Sequence, residues 1–285
     1  VEAQKWLDQN YPKEERGKLI ELDIRSNELL LEGSLDLTDF KDLRLLICSG
    51  HKINKLVLGS SYSRLKELLC DNNQLSELTV KNCPKLIKIN CSRNQLSKLT
   101  IDNCLQLESL NCSNNLLTSF DFESLRGKKL ILIDLNNNRL SPRNLDELST
   151  FISLESIDIG SDDQKEIKRG NYNHFNGSLK SLKNMTRLRY LNIEATDIEE
   201  GLGYLPESLE FFLCSSGNTP TGVGDIEEVL KEFSDSLRAE TSSTPQLALS
   251  QSQNSSFSNF PVVEEEKTVF SSTNFGFNYF DSLQK

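Results

Sequence analysis

Asp134 and Asp158 are the carboxylates that a repeating pattern brings to equivalent places. Two carboxylates held close together can move protons or hold a cation. On an alternating segment, though, they read first as solvated surface. The seven cysteines invite a disulfide or zinc reading. Their positions argue against it: Cys48, Cys70, Cys91 and Cys112 fill the slot that Ile24, Leu135, Ile159 and Ile193 fill elsewhere, where a free thiol packs as a small hydrophobe. Cys83 and Cys104 form a second column 21 residues apart, with no C-x-x-C pair and no His at ligand spacing. His51 and His174 stand away from any G-x-S-x-G or H-E-x-x-H pattern. No Walker loop or G-x-G-x-x-G occurs, and Gly222-Val223-Gly224 is too short to cradle phosphate. These residues predict no enzyme, no cofactor and no metal.

The elements that would position these side chains come from a repeat. Leu65-x-x-Leu68-x-Cys70-x-x-Asn73-x-Leu75 returns as Leu86-x-x-Ile89-x-Cys91-x-x-Asn94-x-Leu96 and as Leu107-x-x-Leu110-x-Cys112-x-x-Asn115-x-Leu117, with a period of 21. Units with such a period cannot bury a core alone and must stack. They start at Leu19, Leu43, Leu65, Leu86, Leu107, Leu130, Leu154, Leu188 and Leu209, with spacings of 24, 22, 21, 21, 23, 24, 34 and 21. Apolar residues at the first, fourth and sixth places alternate like a half-buried strand, so the stack makes a parallel sheet. Asn27, Asn73, Asn94, Asn115 and Asn138 follow the strand, where an amide can serve backbone groups freed by the turn.

Around this array, residues 1–18 read as a helical cap in which Ala3, Trp6, Leu7 and Tyr11 form a stripe that Pro12 ends. The array itself covers 19–220. Leu78-Thr79-Val80 and Leu99-Thr100-Ile101 read as brief extended pieces on the far side of the coil. Ser141-Pro142 before Leu145, Leu148 and Phe151 predicts a short helix with Pro just inside its start. Residues 162–176 read as a protruding loop, equally suited to ligand contact and to mere insertion. Residues 221–240 predict a second helical cap, with Ile226, Val229, Leu230, Phe233 and Leu237 on one face. Residues 241–285, rich in Ser, Thr, Asn, Gln and Phe, read as a disordered tail.

The pattern resembles the leucine-rich repeat over residues 19–217. The wording at 107–115 is similar to short Cys-containing repeats of bacterial and fungal arrays, and Gly201 to Pro206 resembles endings of expanded fungal arrays. The resemblance implies an α/β solenoid with a curved parallel sheet on its concave face, a short irregular or extended convex side, and a protein or peptide ligand on the sheet. His51, Asp162 and Thr196 depart from the expected Asn, and with the long insertion they predict irregular curvature beyond residue 138.

Alternation sends the third, fifth and seventh residues of each unit to the open face. For protein binding this nominates Leu45, Ile47, Glu67, Leu69, Lys88, Asn90, Asn111, Asp134, Asp158, Tyr190, Asn192, Phe211 and Leu213, with Leu69 and Phe211 as anchors of one extended ligand. The alternative assignment is the ligand-sensing part of a larger signalling or ubiquitin-ligase protein. A net charge of -10 argues against nucleic acid. No run of 18 apolar residues marks a membrane span, and the unpaired thiols suit a reducing, cytoplasmic setting. Asn176-Gly-Ser and Asn184-Met-Thr have the form of glycan acceptors, whereas Asn90-Cys-Ser and Asn111-Cys-Ser would put sugars on the binding face. The protein is expected to be monomeric.

Overall fold

In a computed structural model, residues 1–26 and 29–214 are described. Asn27, Gly217, the helix expected over 221–240 and the tail expected over 241–285 lie outside the described residues. Among the described residues, nine short strands, one per coil, form a single parallel sheet in chain order: Glu21–Asp23, Leu45–Ile47, Glu67–Leu69, Lys88–Asn90, Ser109–Asn111, Leu132–Asp134, Ser156–Asp158, Tyr190–Asn192 and Phe211–Leu213. The fourth residue of every repeat is the inward one. Leu46, Leu68, Ile89, Leu110, Ile133, Ile157, Leu191 and Phe212 lie in register along the stack, and each is buried. Each such side chain contributes roughly 1.5–3 kcal/mol of burial, which no single coil could realise without its neighbours.

The opposite flank of the coils carries smaller parallel pairs. Glu77–Lys81 pairs with Lys98–Asp102 around the expected extended pieces, and Glu32–Asp36 pairs with Lys52–Val57. Later coils turn there through 3-10 helices at Glu123–Leu125, Leu145–Leu148, Leu179–Leu182 and Leu202–Tyr204. The helix expected after Ser141-Pro142 is corrected in detail. Arg143–Asn144 first pairs with Phe175–Asn176, and the 3-10 turn begins at Leu145 with Asn144 as its cap, its side chain accepting from the Asp146 N–H at 2.8 Å. Pro142 thus precedes a strand pair, where its missing N–H costs nothing, and does not open the helix.

At the amino end, Ala3–Asn10 is helical, with the Glu2 carboxylate accepting from the N–H groups of Gln4 and Lys5. Pro12 does more than end this helix, because it caps a second one at Lys13–Arg16. Ala3 and Leu7 are buried, Trp6 and Tyr11 partly so, and the first helix packs on the Glu32–Asp36 strand. Arg16 is buried between Asp8 at 2.6 Å and Asp39 at 3.5 Å, and its guanidinium also donates to the Tyr11 carbonyl and lies over the Phe40 ring.

Candidate functional site

Among the described residues two ladders of side chains brace the concave sheet, and a third lies on the opposite flank of the coils. The innermost is the expected Asn ladder. Asn94 donates through Nδ2 to the carbonyls of Cys70, Cys91 and Ser92 at 3.1, 3.1 and 3.2 Å, while its Oδ1 accepts from the Leu75 N–H at 3.0 Å. Asn73, Asn115 and Asn138 repeat this arrangement. His51 takes the same slot and does the same work with a ring, its Nδ1 accepting from the Leu31 N–H and its Nε2 lying 2.5 Å from the Ile24 carbonyl. The place assigned to Asp162 is corrected. Asn173 fills it, donating to the Leu135 and Ile159 carbonyls at 2.9 and 3.1 Å and accepting from the Leu140 N–H at 3.2 Å. The insertion is therefore residues 162–172, shorter than the 162–176 expected. It contains a helix, Gln164–Lys168, capped by Asp163. The repeat resumes at Asn173-His174-Phe175, whose Asn-x-Phe spacing was the signal in the sequence. Thr196 fills the next slot by donating from its hydroxyl to the Ile193 carbonyl.

The second ladder faces the concave side and uses the fifth residue of the repeats. Asn90 and Asn111 each accept through Oδ1 from the N–H and the hydroxyl of the serine two residues on, at 2.8–3.2 Å. Asp134, Asp158 and Asn192 accept in the same way from the N–H groups of Asn136, Gly160 and Glu194. The Asn-Cys-Ser triplets are thus side-chain turns that hold the strand ends, since an Asx oxygen naturally reaches the N–H two residues ahead. A Cβ at Gly160 would lie 2.5 Å from the Asn192 Oδ1, so a larger residue there must move the Asn192 side chain, whose Oδ1 accepts from the Glu194 N–H.

The cysteine column is buried as expected, and burial pushes the Cys48 and Cys91 thiols up to about 12, which leaves them unreactive at neutral pH. Cys83 and Cys104 are also buried, each after an Asn with positive φ; Asn103 donates to Asn82 across the coils at 3.0 Å to make the third ladder.

Every nominated face residue lies in the nine-stranded sheet on the side away from the core column. Two expectations about them change. The apolar ones are not fully exposed: Leu45, Leu69, Phe211 and Leu213 are half-buried and Ile47 is buried. Asp134 and Asp158 are not simple solvated surface. They are register partners on adjacent strands, and Asp158 accepts from Asn136 Nδ2 at 3.1 Å and from the Tyr190 hydroxyl at 3.2 Å. Burial, and then the neighbouring Asp158 charge, raises the Asp134 carboxyl. Burial raises Asp158 to about 6. Glu67 and Lys88 face each other across adjacent strands, and Asn90 and Asn192 are buried by the ladder. Among the described residues, no group of three or more His, Cys, Asp and Glu side chains lies close enough to hold a metal ion. No helix among them is long and apolar enough to cross a membrane.

Repeat spacing, stacked parallel strands and the Asn ladder together define a leucine-rich-repeat solenoid. No protein-family model matches the sequence, and no curated protein matches it. Solved structures with a similar course include the functional domain of InlJ from Listeria monocytogenes, described as including a cysteine ladder. It is 20% identical, with 72% of this chain and 54% of that one covered and a TM-score of 0.44. This chain therefore spans about half the length of that domain. An internalin, InlF, from Listeria monocytogenes is 13% identical, covering 80% of this chain and 92% of that one at a TM-score of 0.37. A leucine-rich-repeat protein of Leptospira interrogans is 18% identical, covering 77% and 76% at a TM-score of 0.34.

Proposed function

We propose that the chain is a non-catalytic scaffold that binds a protein or peptide along the concave face of its sheet. One observation carries this reading: outward-facing apolar side chains, half-buried or buried, flank a polar centre. Leu45, Ile47 and Leu69 stand toward the amino end, and Tyr190, Phe211 and Leu213 toward the other. Between them, the acceptors of Asn90, Asn111, Asp134, Asp158 and Asn192 are used inside the fold, so the centre supplies a rigid floor and the ends supply anchors. The partner this suits is an extended segment with apolar side chains near its two ends.

The test is affinity capture with the wild-type chain beside a Leu69→Ala/Phe211→Ala double variant. The expected result is a partner that the wild type retains and the double variant loses, with the variant's circular dichroism unchanged. A truncated anchor at an interface typically costs about 2 kcal/mol or more, enough to remove a micromolar partner from a wash. Equal capture by both baits would move the binding surface off the concave face.

A further inference from the structure

The solenoid carries a second surface, on the edge of the coils where the chain enters the sheet. Arg44, Arg64, Lys66 and Lys85 line one open cleft of about 340 Å³ there. They come from three successive coils, at the residues immediately before or after the buried leucines Leu43, Leu65 and Leu86. The stacking fixes their spacing: the Lys66 N–H donates to the Arg44 carbonyl at 2.8 Å, so the two cations stand one above the other. Three coils at a strand spacing of ~4.8 Å give a cluster roughly 10 Å long.

The charge here runs against the rest of the molecule. The chain carries 42 acidic and 32 basic side chains, yet among the described residues one carboxylate, Asp42, pairs with this group, 3.9 Å from Arg64. Farther along the same edge, cations at matching places in the repeat are closely paired, Arg187 to Glu155 and Arg189 to Glu210, both at 2.7 Å. Among the described residues these four exposed cations share one paired carboxylate, so they repel one another, and an external anion relieves that repulsion.

We infer that this edge is a docking surface for an acidic segment of a protein, one presenting two or three neighbouring Asp or Glu side chains to the cleft. The short run of positive charge matches adjacent carboxylates on an extended peptide. A long polyanion is disfavoured by the net charge of the chain as a whole, -10. The arginines can take carboxylates as two-pronged forks, and the lysines add charge. Because the cleft lies on the edge and not on the concave face, the inference stands whether or not Leu69 and Phe211 anchor a partner.

The experiment is fluorescence anisotropy of a labelled Gly-Ser peptide containing three successive glutamates, titrated with the full chain. The expected result is binding that weakens with salt and falls about tenfold or more in Arg44→Glu/Lys66→Glu, while Lys168→Glu/Lys183→Glu, with the same change in net charge, stays within about twofold. The neutral pair Arg44→Gln/Lys66→Gln should lose an intermediate amount and serves as the readout should the charge reversal disturb folding. Absence of peptide binding, equal losses in the two reversed pairs, or tighter binding of a single-stranded oligonucleotide of equal charge would each overturn the inference.

Discussion

At the scale of single residues, the fold depends on side-chain amides that do backbone work. Asn94 satisfies three carbonyls and one N–H, all on buried coil turns. Asn94→Ala strands these groups without water, and urea unfolding is expected to show a loss of about 2–3 kcal/mol; an unchanged midpoint would mean the ladder is dispensable. Asp158 is a different case, since the fold raises its carboxyl from 3.8 to about 6. In that window the folded state binds more protons than the unfolded one. The contribution is therefore fully present below about pH 4 and lost as pH rises through about 6. Asp158→Asn matches Asn90, Asn111 and Asn192 in the same column and keeps an oxygen for the Gly160 N–H. The variant is expected to gain roughly 1–2 kcal/mol at neutral pH and to melt with less dependence on pH between about 4 and about 7. A steeper dependence, or a loss at pH 7, would refute the burial argument. The sequence exposed the column to which Asp134 and Asp158 belong, but not their protonation, because burial and hydrogen-bond partners come from adjacent coils.

At the scale of elements, the insertion is the informative case. A gap of 34 residues between Leu154 and Leu188 and the charged run after Ser161 mark it plainly. Its end is less plain, because Asp162 occupies the counted position and Asn can be replaced there, as His51 and Thr196 prove. The coil instead passes over 162–172, where Ile167 and Tyr172 pack with Ala195, and resumes the ladder at Asn173. Removing residues 162–172 joins Ile159-Gly160-Ser161 directly to Asn173-His174-Phe175 and restores the regular spacing. The deletion is expected to fold to the same circular dichroism spectrum with a stability change within about 2 kcal/mol, since shortening a loop changes closure entropy only slowly. Collapse of cooperative unfolding would show that the insertion is part of the core. The two helices at the amino end were legible as one stripe, yet Arg16, which ties them to Asp8, Asp39 and Phe40, carries no periodic signal because a buried Arg is recognised only by its partners.

At the scale of the whole molecule, period and register are two different kinds of information. Among the described residues, the sequence by itself determined the nine coils, the inward column from Leu46 to Phe212, the burial of Cys48, Cys70, Cys91 and Cys112, and the Asn ladder from Asn73 to Asn138. Each of these follows from which residue type recurs at which place, and a recurring apolar residue has nowhere to go but the stack. Tertiary structure alone decided which side chains meet across coils: Asn173 with the Leu135 carbonyl 38 residues away, Tyr190 with Asp158 across 32, and the four cations of the basic edge on three successive turns. Those pairings depend on how many residues each turn takes on the convex side. A repeat tolerates changes in that number wherever the strands still meet in register, so the count fixes contacts that no local pattern records.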